Sequence, residues 1–316
     1  MSGDDQKIDG KCWCSDAAAR RVFGFSLADD VSFDLYRCEG CGVHFLHPQP
    51  TLEQLLPYYA QEYYGATRKK FIGPIASIVG YFQSQRSRLV AKHISAGRVL
   101  DVGCGNGGFL AQLKEKGYET EGTELTEASA QRVPVGITVH VGDLLSLNLG
   151  DEQFDAITLW HVFEHLSQPH ETCQKIHRLL KPGGRLFLSM PNAESWQANC
   201  FGKHWFHLDP PRHLFGFGPR SLGRLLDVTG FDIESVSTLS LEQNPYGFMQ
   251  SCLNAVGFPR ERAYETLKGV SDSGAMTRLM DLCLLALLAA PAFGESLLAS
   301  LAGHGATMTV VVRRRG

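Results

Sequence analysis

The sequence lacks a dominant charge. Its 30 lysines and arginines against 33 aspartates and glutamates leave a net charge of -3 over 316 residues, so no global basic field recommends nucleic acid as a partner. An apolar leader is missing too: the N-terminus, Met1-Ser2-Gly3-Asp4-Asp5-Gln6-Lys7, is polar, which predicts a cytoplasmic, reducing setting. The nine cysteines are then expected as thiols or metal ligands rather than disulfides. No uninterrupted apolar run reaches the roughly 20 residues that a membrane span needs. The most apolar stretch, Leu282–Gly294, is shorter and contains Pro291, so it predicts a buried helix ahead of a membrane-surface element. A sizeable core is still available, since 44% of the residues are hydrophobic. The length exceeds the usual domain of about 100 to 200 residues, which predicts one large domain with additions, or two domains.

What is present is a glycine turn. The run Arg98-Val99-Leu100-Asp101-Val102 meets Gly103, Gly105, Gly107 and Gly108, and a helical pattern with Leu110 and Leu113 follows. Strand, tight turn and helix form a nucleotide cradle: glycines let the backbone approach a ligand, and the helix start offers free N–H groups. Gly103, Gly105 and Gly108 also satisfy the dinucleotide fingerprint, with Glu124 about 20 residues on as that motif wants. A nicotinamide-dependent oxidoreductase is therefore one reading.

Upstream, Cys12-Trp13-Cys14 and Cys38-Glu39-Gly40-Cys41-Gly42 bracket a segment rich in Phe, Val and Tyr. Two cysteine pairs joined by a β-hairpin fit a four-thiolate zinc ribbon with Cys12, Cys14, Cys38 and Cys41 as ligands, with His44 and His47 as spare donors. Thr51-Leu52-Glu53-Gln54 is a capping-box pattern that opens a short helix. Tyr58, Tyr59, Tyr63 and Tyr64 follow as packing aromatics, one of them available to cover a cofactor edge. From Pro74 to Ile94 the apolar spacing predicts an amphipathic helix.

Downstream, strands are predicted at 118–125, 137–141, 154–160 and 185–190, separated by helices. This alternation implies a parallel sheet with right-handed crossovers, whose ligands sit at the carboxyl ends of the strands. Glu124, Asp143 and the segment after Trp160 fall at those ends. Asp101 adds a carboxylate where a pyrophosphate would have to lie, and like charges repel. The ligand favoured by these acids carries positive charge.

At this point residues 98–231 resemble a class I S-adenosylmethionine-dependent methyltransferase. The matching blocks run Leu-Asp-Val-Gly-Cys-Gly-Asn-Gly at 100–107, Gly-Thr-Glu-Leu at 122–125 and Gly-Asp at 142–143. They continue with Phe-Asp-Ala-Ile-Thr-Leu-Trp-His-Val-Phe-Glu-His-Leu at 154–166 and Leu-Leu-Lys-Pro-Gly-Gly-Arg-Leu-Phe-Leu-Ser-Met-Pro-Asn at 179–192. The resemblance implies a Rossmann-like doubly wound sheet of order 3-2-1-4-5-7-6 with its last strand antiparallel. It implies that Asp101, Gly103, Gly105 and Gly107 hold the methionine part of S-adenosylmethionine, Glu124 the ribose and Asp143 the adenine amino group. Cys104, Leu125, Leu144 and Trp160 line that pocket, and His161 lies near the sulfonium. The cysteine segment resembles a zinc-ribbon subgroup of the same superfamily, whose first pair is usually C-x-x-C where this chain has Cys12-Trp13-Cys14.

The loop from Trp196 to Phe217 resembles the Asp-x-Pro-Arg-His-Leu segment of that subgroup and suits cover for a ligand cleft. Methyl transfer needs alignment, and a base only when the nucleophile carries a proton. His213 is the first candidate base, His161 the second, and Arg212 a candidate anion holder; the alternative is a packed connector with satisfied imidazoles. A metal on His204, His207 and His213 finds no supporting carboxylate pattern. More than 60 residues separate the sixth strand, 231–239, from the seventh at 307–312. This hydrophobic insertion suits cover for a lipophilic or carrier-bound acceptor, a peripheral membrane contact through 276–301, a homodimer surface, or plain packing. The expected organisation is a zinc-ribbon-like segment at 1–50, a helical linker at 51–97, a methyltransferase core at 98–240, a helical insertion at 241–304 and a last strand with basic tail at 305–316. The leading expectation is methyl transfer to a small-molecule, sugar or lipid-linked acceptor. A non-catalytic module that binds S-adenosylmethionine is the third reading.

Overall fold

The computed structural model describes residues 12–14, 17–26, 32–51, 53–55, 57, 58, 74–258, 260–268 and 274–316. Within them the alternation of strand and helix closes into one seven-stranded sheet. Its strands are β4 (Arg98–Val102), β5 (Glu119–Glu124), β6 (Thr138–Val141), β7 (Phe154–Trp160), β8 (Leu180–Pro191), β10 (Phe231–Ser237) and β11 (Thr307–Arg314). They lie in the order β10-β11-β8-β7-β4-β5-β6, and β11 runs antiparallel to both its neighbours. This is the order 3-2-1-4-5-7-6 read from the other edge, as the methyltransferase resemblance implies.

The period of two along each strand decides which helix covers which face. Val99, Ala156, Phe187 and Val311 pack against Val90 of α1 (Pro74–His93) and Phe109, Leu110 and Leu113 of α2 (Gly108–Glu115). Their neighbours Leu100, Ile157, Leu186 and Val310 face the other way. A short α3 spans Glu127–Ala130. On the second face lie Cys173 and Ile176 of α4 (Pro169–Leu179) and, beyond α5 (Trp196–Phe201), Leu222 and Leu225 of α6 (Pro219–Val228). Each such fully buried leucine or isoleucine contributes about 1.5 to 3 kcal/mol.

The N-terminal segment forms its own antiparallel sheet from β1 (Ala19–Ser26), β2 (Ser32–Cys38) and β3 (His44–His47). A fourth strand comes from far along the chain: β9 (Phe215–Gly216) pairs with β3 through Phe45 and His44. Tyr36, Val43 and Phe45 thereby enter the same core as Phe163, Leu214 and Phe217. The capping box at Thr51 is present in both directions, Thr51 N–H donating to Gln54 Oε1 at 2.9 Å and Gln54 N–H to Thr51 Oγ1 at 3.3 Å. Tyr59, Tyr63 and Tyr64 lie outside the described residues.

Between β10 and β11 stand α7 (Asn244–Ala255), α8 (Arg260–Lys268) and α9 (Ala275–Leu301). Asn244 fastens them to the sheet: its amide donates to the Thr238 carbonyl at 2.9 Å and accepts from Thr307 N–H at 3.0 Å. A bidentate pair of Arg262 on Asp281 joins α8 to α9. The buried-helix expectation for Leu282–Gly294 is corrected here. The run belongs to one 27-residue helix that continues through Pro291, because the good helix formers on either side make enough backbone bonds to outlast the one lost there. Leu279, Met280, Leu287, Phe293, Leu298 and Leu301 are exposed on it. By length and composition it could cross a membrane; 22% of its most apolar window, of mean hydropathy 1.9, is buried.

Candidate functional site

The glycine turn lies between the carboxyl end of β4 and the start of α2. Gly103 N–H and Cys104 N–H both donate to the Thr123 carbonyl, at 3.0 and 3.1 Å, which holds the turn against β5. Gly103, at φ +69°, has Val162 so close that a Cβ would sit 2.7 Å from Cγ2; only glycine fits. Gly105, at φ +61°, has open space within 4 Å where its Cβ would be. Its N–H donates to Glu124 Oε1. Cys104 turns inward, under Gly122.

Asp101 is 3% exposed and accepts a hydrogen bond of 2.6 Å from the Thr158 hydroxyl on β7. Burial pushes its carboxyl up to about 7, against the pull of Thr158 and Arg86, and Glu124 adds to the rise. Burial also raises Glu124, while the Gly105 N–H and Arg132 hold it back. Two carboxyls thus sit in low dielectric without a full counter-charge. Arg86 of α1 lies over the Trp160 ring at 5.5 Å and reaches both oxygens of Glu242, at 2.9 and 2.8 Å. Phe109 meets the same ring edge-on at 5.6 Å. Asp143 is exposed, its Oδ1 accepting from Leu145 N–H at 2.8 Å, and the Gly142 N–H beside it donates to the Glu124 carbonyl. Leu144 is buried and Leu125 exposed.

Past Trp160 the chain kinks at His161, a non-glycine residue at φ +57° whose N–H donates to the Ser189 carbonyl at 2.8 Å. A short helix, Phe163–His165, then buries Glu164 to 2% exposure. Around that carboxylate stand His161 Nδ1 at 3.5 Å and His213 Nε2 at 4.0 Å. The His165 and His213 rings meet edge-on at 4.7 Å. Burial opposes the Glu164 charge, but His161, His165 and His213 outweigh it and hold the group to about 2. Burial keeps His213 neutral, its value lowered to about 3. Arg212 pairs with Asp209 at 2.7 Å. His207 packs against Gly247 of α7, and His204 and His207 take no part in the cluster that His213 joins. Sequence reasoning missed Glu164 and His165 as site residues. The carboxylate it found wanting near the loop stands 49 residues earlier, at the end of β7, and the His-x-x-Glu-His spacing of 161–165 was the available signal.

At the other sheet, the Sγ atoms of Cys12, Cys14, Cys38 and Cys41 converge. Cys12 lies 3.2 Å from Cys14 and 3.1 Å from Cys41, and Cys14 lies 3.3 Å from Cys38. A tetrahedral tetrathiolate with bonds of about 2.3 Å needs sulfurs ~3.8 Å apart, a small expansion of this cluster. The Cys12 thiol beside Cys41 pulls the Cys41 thiol down to about 5.

The chain matches the family described as Methyltransferase domain over residues 78–236, half of its length. Ubiquinone biosynthesis O-methyltransferase of Pseudomonas paraeruginosa is 32% identical over 161 residues, 46% of this chain and 68% of that protein. The protein of the same name from Pseudomonas aeruginosa is 26% identical over 162 residues, 47% and 69% of the two chains. Among solved structures, an S-adenosylmethionine-dependent methyltransferase from Archaeoglobus fulgidus superposes with a TM-score of 0.51 at 19% identity, over 80% of this chain and 100% of its own. The [4+2]-cyclase SpnF superposes with a TM-score of 0.52 at 18% identity, over 84% and 97%, a likeness of fold alone. With the sheet order, the glycine turn and the family match in agreement, the chain belongs to the class I S-adenosylmethionine-dependent methyltransferases.

Proposed function

We propose that this chain methylates an oxygen of a small-molecule acceptor, lipid-linked or otherwise apolar in part. One observation carries the cofactor half: Gly105 leaves open space beside the Glu124 carboxylate, with Asp101 buried behind it. Three acids around an open glycine turn suit a ligand with a sulfonium, an ammonium and ribose hydroxyls. In this reading Asp101, Gly103, Gly105 and Gly107 hold the amino-acid end, Glu124 the ribose and Asp143 the adenine amino group, with Leu125, Leu144 and Trp160 against the base and sulfur, while the Cys104 side chain, expected beside them, is turned into the core under Gly122. Bound S-adenosylmethionine supplies an activated methyl group. That methyl group would be the one transferred to the acceptor oxygen, and the acceptor's hydroxyl proton would pass to an imidazole at the cleft, His161 or His213. Arg212, braced by Asp209, steadies an anionic part of the acceptor.

The O-methyltransferase names of the curated relatives support oxygen as the accepting atom, and the exposed apolar face of α9 supports a lipophilic acceptor or a membrane surface where one is met. Cys12, Cys14, Cys38 and Cys41 would hold a structural zinc. Its place in the mechanism is mechanical: the ribbon strand β3 donates Leu46 N–H to the Leu214 carbonyl at 3.0 Å, and Leu214 N–H donates to the Glu164 carbonyl at 2.9 Å. Calorimetry tests the cofactor half. Glu124→Ala is expected to weaken S-adenosylmethionine binding by about 1 to 3 kcal/mol, the loss of charge-assisted hydrogen bonds. Unchanged affinity would remove its ribose role, and tight NAD binding without S-adenosylmethionine binding would end the proposal.

A further inference from the structure

Two arginines stand opposed on the N-terminal sheet. The register pairs Arg20 of β1 with Arg37 of β2, Arg37 with His44 of β3, and His44 with Gly216 of β9, so one row crosses all four strands and its side chains leave the same face. Arg20 and Arg37 are exposed, and among the described residues neither guanidinium has a hydrogen-bond or ion-pair partner. Asp34, three residues from Arg37 on β2, leaves the opposite face and is taken by Arg21 at 2.7 Å. Burial and the Arg37 charge beside it lower His44 to about 4, so the imidazole is neutral near pH 7 and the two guanidiniums carry the charge of the row.

Like charges directly opposite in an antiparallel pair are destabilising, and an anion between them turns repulsion into attraction. Two guanidinium forks on a base of about 5 Å match the oxygens of a phosphate, which arginine grips in bidentate fashion. The same face continues from this row into apolar residues. Leu35, two residues from Arg37, pairs with Phe23 and Leu46, and Phe33 pairs with Phe25. Phe33, Leu35 and Leu46 are buried there, and Phe23, Phe25 and Leu208 are half-buried beside them. From Arg37 to Phe33 the strand covers about 13 Å. Leu208 belongs to the loop that carries His213, so the apolar end of this face adjoins that loop.

We propose that Arg20 and Arg37 bind the phosphate of an amphiphilic phosphate ester, its apolar chain lying along the half-buried Phe23, Phe25 and Leu208. A carboxylate fills one fork, whereas a phosphate has oxygens enough for two. Nucleic acid is disfavoured as the source of that phosphate, because the row offers two cations and a net charge of -3 supplies no wider basic field. β2 lies two strands from β9, about 10 Å, so the phosphate stays outside the cleft while the chain leads toward the loop of His213. The ester is then the form in which a lipid-linked acceptor is carried. That last assignment rests on the methyl-transfer reading; phosphate binding itself does not.

The test titrates the full chain calorimetrically with decyl phosphate below its micellar concentration, with inorganic phosphate, and with a decyl glycoside as a neutral amphiphile. Decyl phosphate is expected to bind at one site, about tenfold or more tightly than either other probe, and to lose about tenfold or more in affinity in Arg20→Gln and in Arg37→Gln. Removing one member of an opposed pair should leave the thermal midpoint of the ligand-free protein level or raised, whereas loss of a purely structural arginine lowers it. No binding of decyl phosphate, equal binding of the decyl glycoside, or unchanged affinity in both variants overturns the proposal. Inorganic phosphate bound as tightly as decyl phosphate overturns its apolar half. Failure of the methyl-transfer reading looks different: S-adenosylmethionine binding is absent in the native chain while the decyl phosphate titration is unchanged.

Discussion

The carboxyl of Asp101 makes cofactor affinity depend on pH in a direction that can be worked out. Burial raises it from an ordinary 3.8 to about 7 in the free protein, while a ligand bearing an ammonium and a sulfonium needs the ionised form. At pH 5 only about one free molecule in 100 carries that charge, so affinity should rise about 100-fold between pH 5 and pH 8, close to 3 kcal/mol. Calorimetry at several pH values measures it, and repeating the titration near pH 6 in buffers of different ionisation enthalpy should show about one proton released per ligand bound. Asp101→Asn should abolish both the slope and most of the binding. A flat profile, or a slope that survives in Asp101→Asn, refutes the reasoning. Stability runs the other way. Because the folded value is raised, the native chain holds this proton more tightly than the unfolded chain, and its contribution falls as pH climbs from about 4 to about 7. Asp101→Asn is therefore expected to raise the thermal midpoint of the free protein at pH 8 and leave it unchanged at pH 4.

Cys38→Ser should release about one zinc per chain in metal analysis and lower turnover through the β3–β9 pairing, with cofactor affinity unchanged; metal content equal to that of the native protein would remove the ribbon role. Phe163 is fully buried and meets Phe217 at 5.3 Å, so Phe163→Ala should cost about 3 to 5 kcal/mol in denaturant unfolding; a loss below 1 kcal/mol would mean the site collapses freely. Leu287 and Leu298 stand exposed on α9. If that face meets lipid, the native chain sediments with phosphatidylcholine vesicles, and Leu287→Glu with Leu298→Glu reduces the bound fraction about tenfold or more. A native chain that stays in the supernatant ends the membrane reading.

Local signals were enough for part of this protein. The turn needs glycine at Gly103, Gly105 and Gly107, where positive φ admits little else. Alternating strands and helices allow few sheet orders, since right-handed crossovers prune the rest. Even the capping box at Thr51 and Gln54 spans three residues and was legible directly.

Tertiary structure decided what distance along the chain conceals. Glu164 meets His213 only because β9 carries the loop of His213 back onto β3 and the Leu214 N–H finds the Glu164 carbonyl. Arg86 finds Glu242, 156 residues away, across Trp160. The composition of α9 could not say which of its faces would be covered, since burial belongs to the neighbour and not to the residue. Sequence by itself determined the glycine turn and the alternation of strand and helix, which follow from backbone sterics and periodicity, while the order of the sheet was what the resemblance to methyltransferases implied. Only the folded chain brought the Glu164 carboxylate together with the imidazoles of His161, His165 and His213 from two distant segments, because such a meeting depends on packing and not on local pattern.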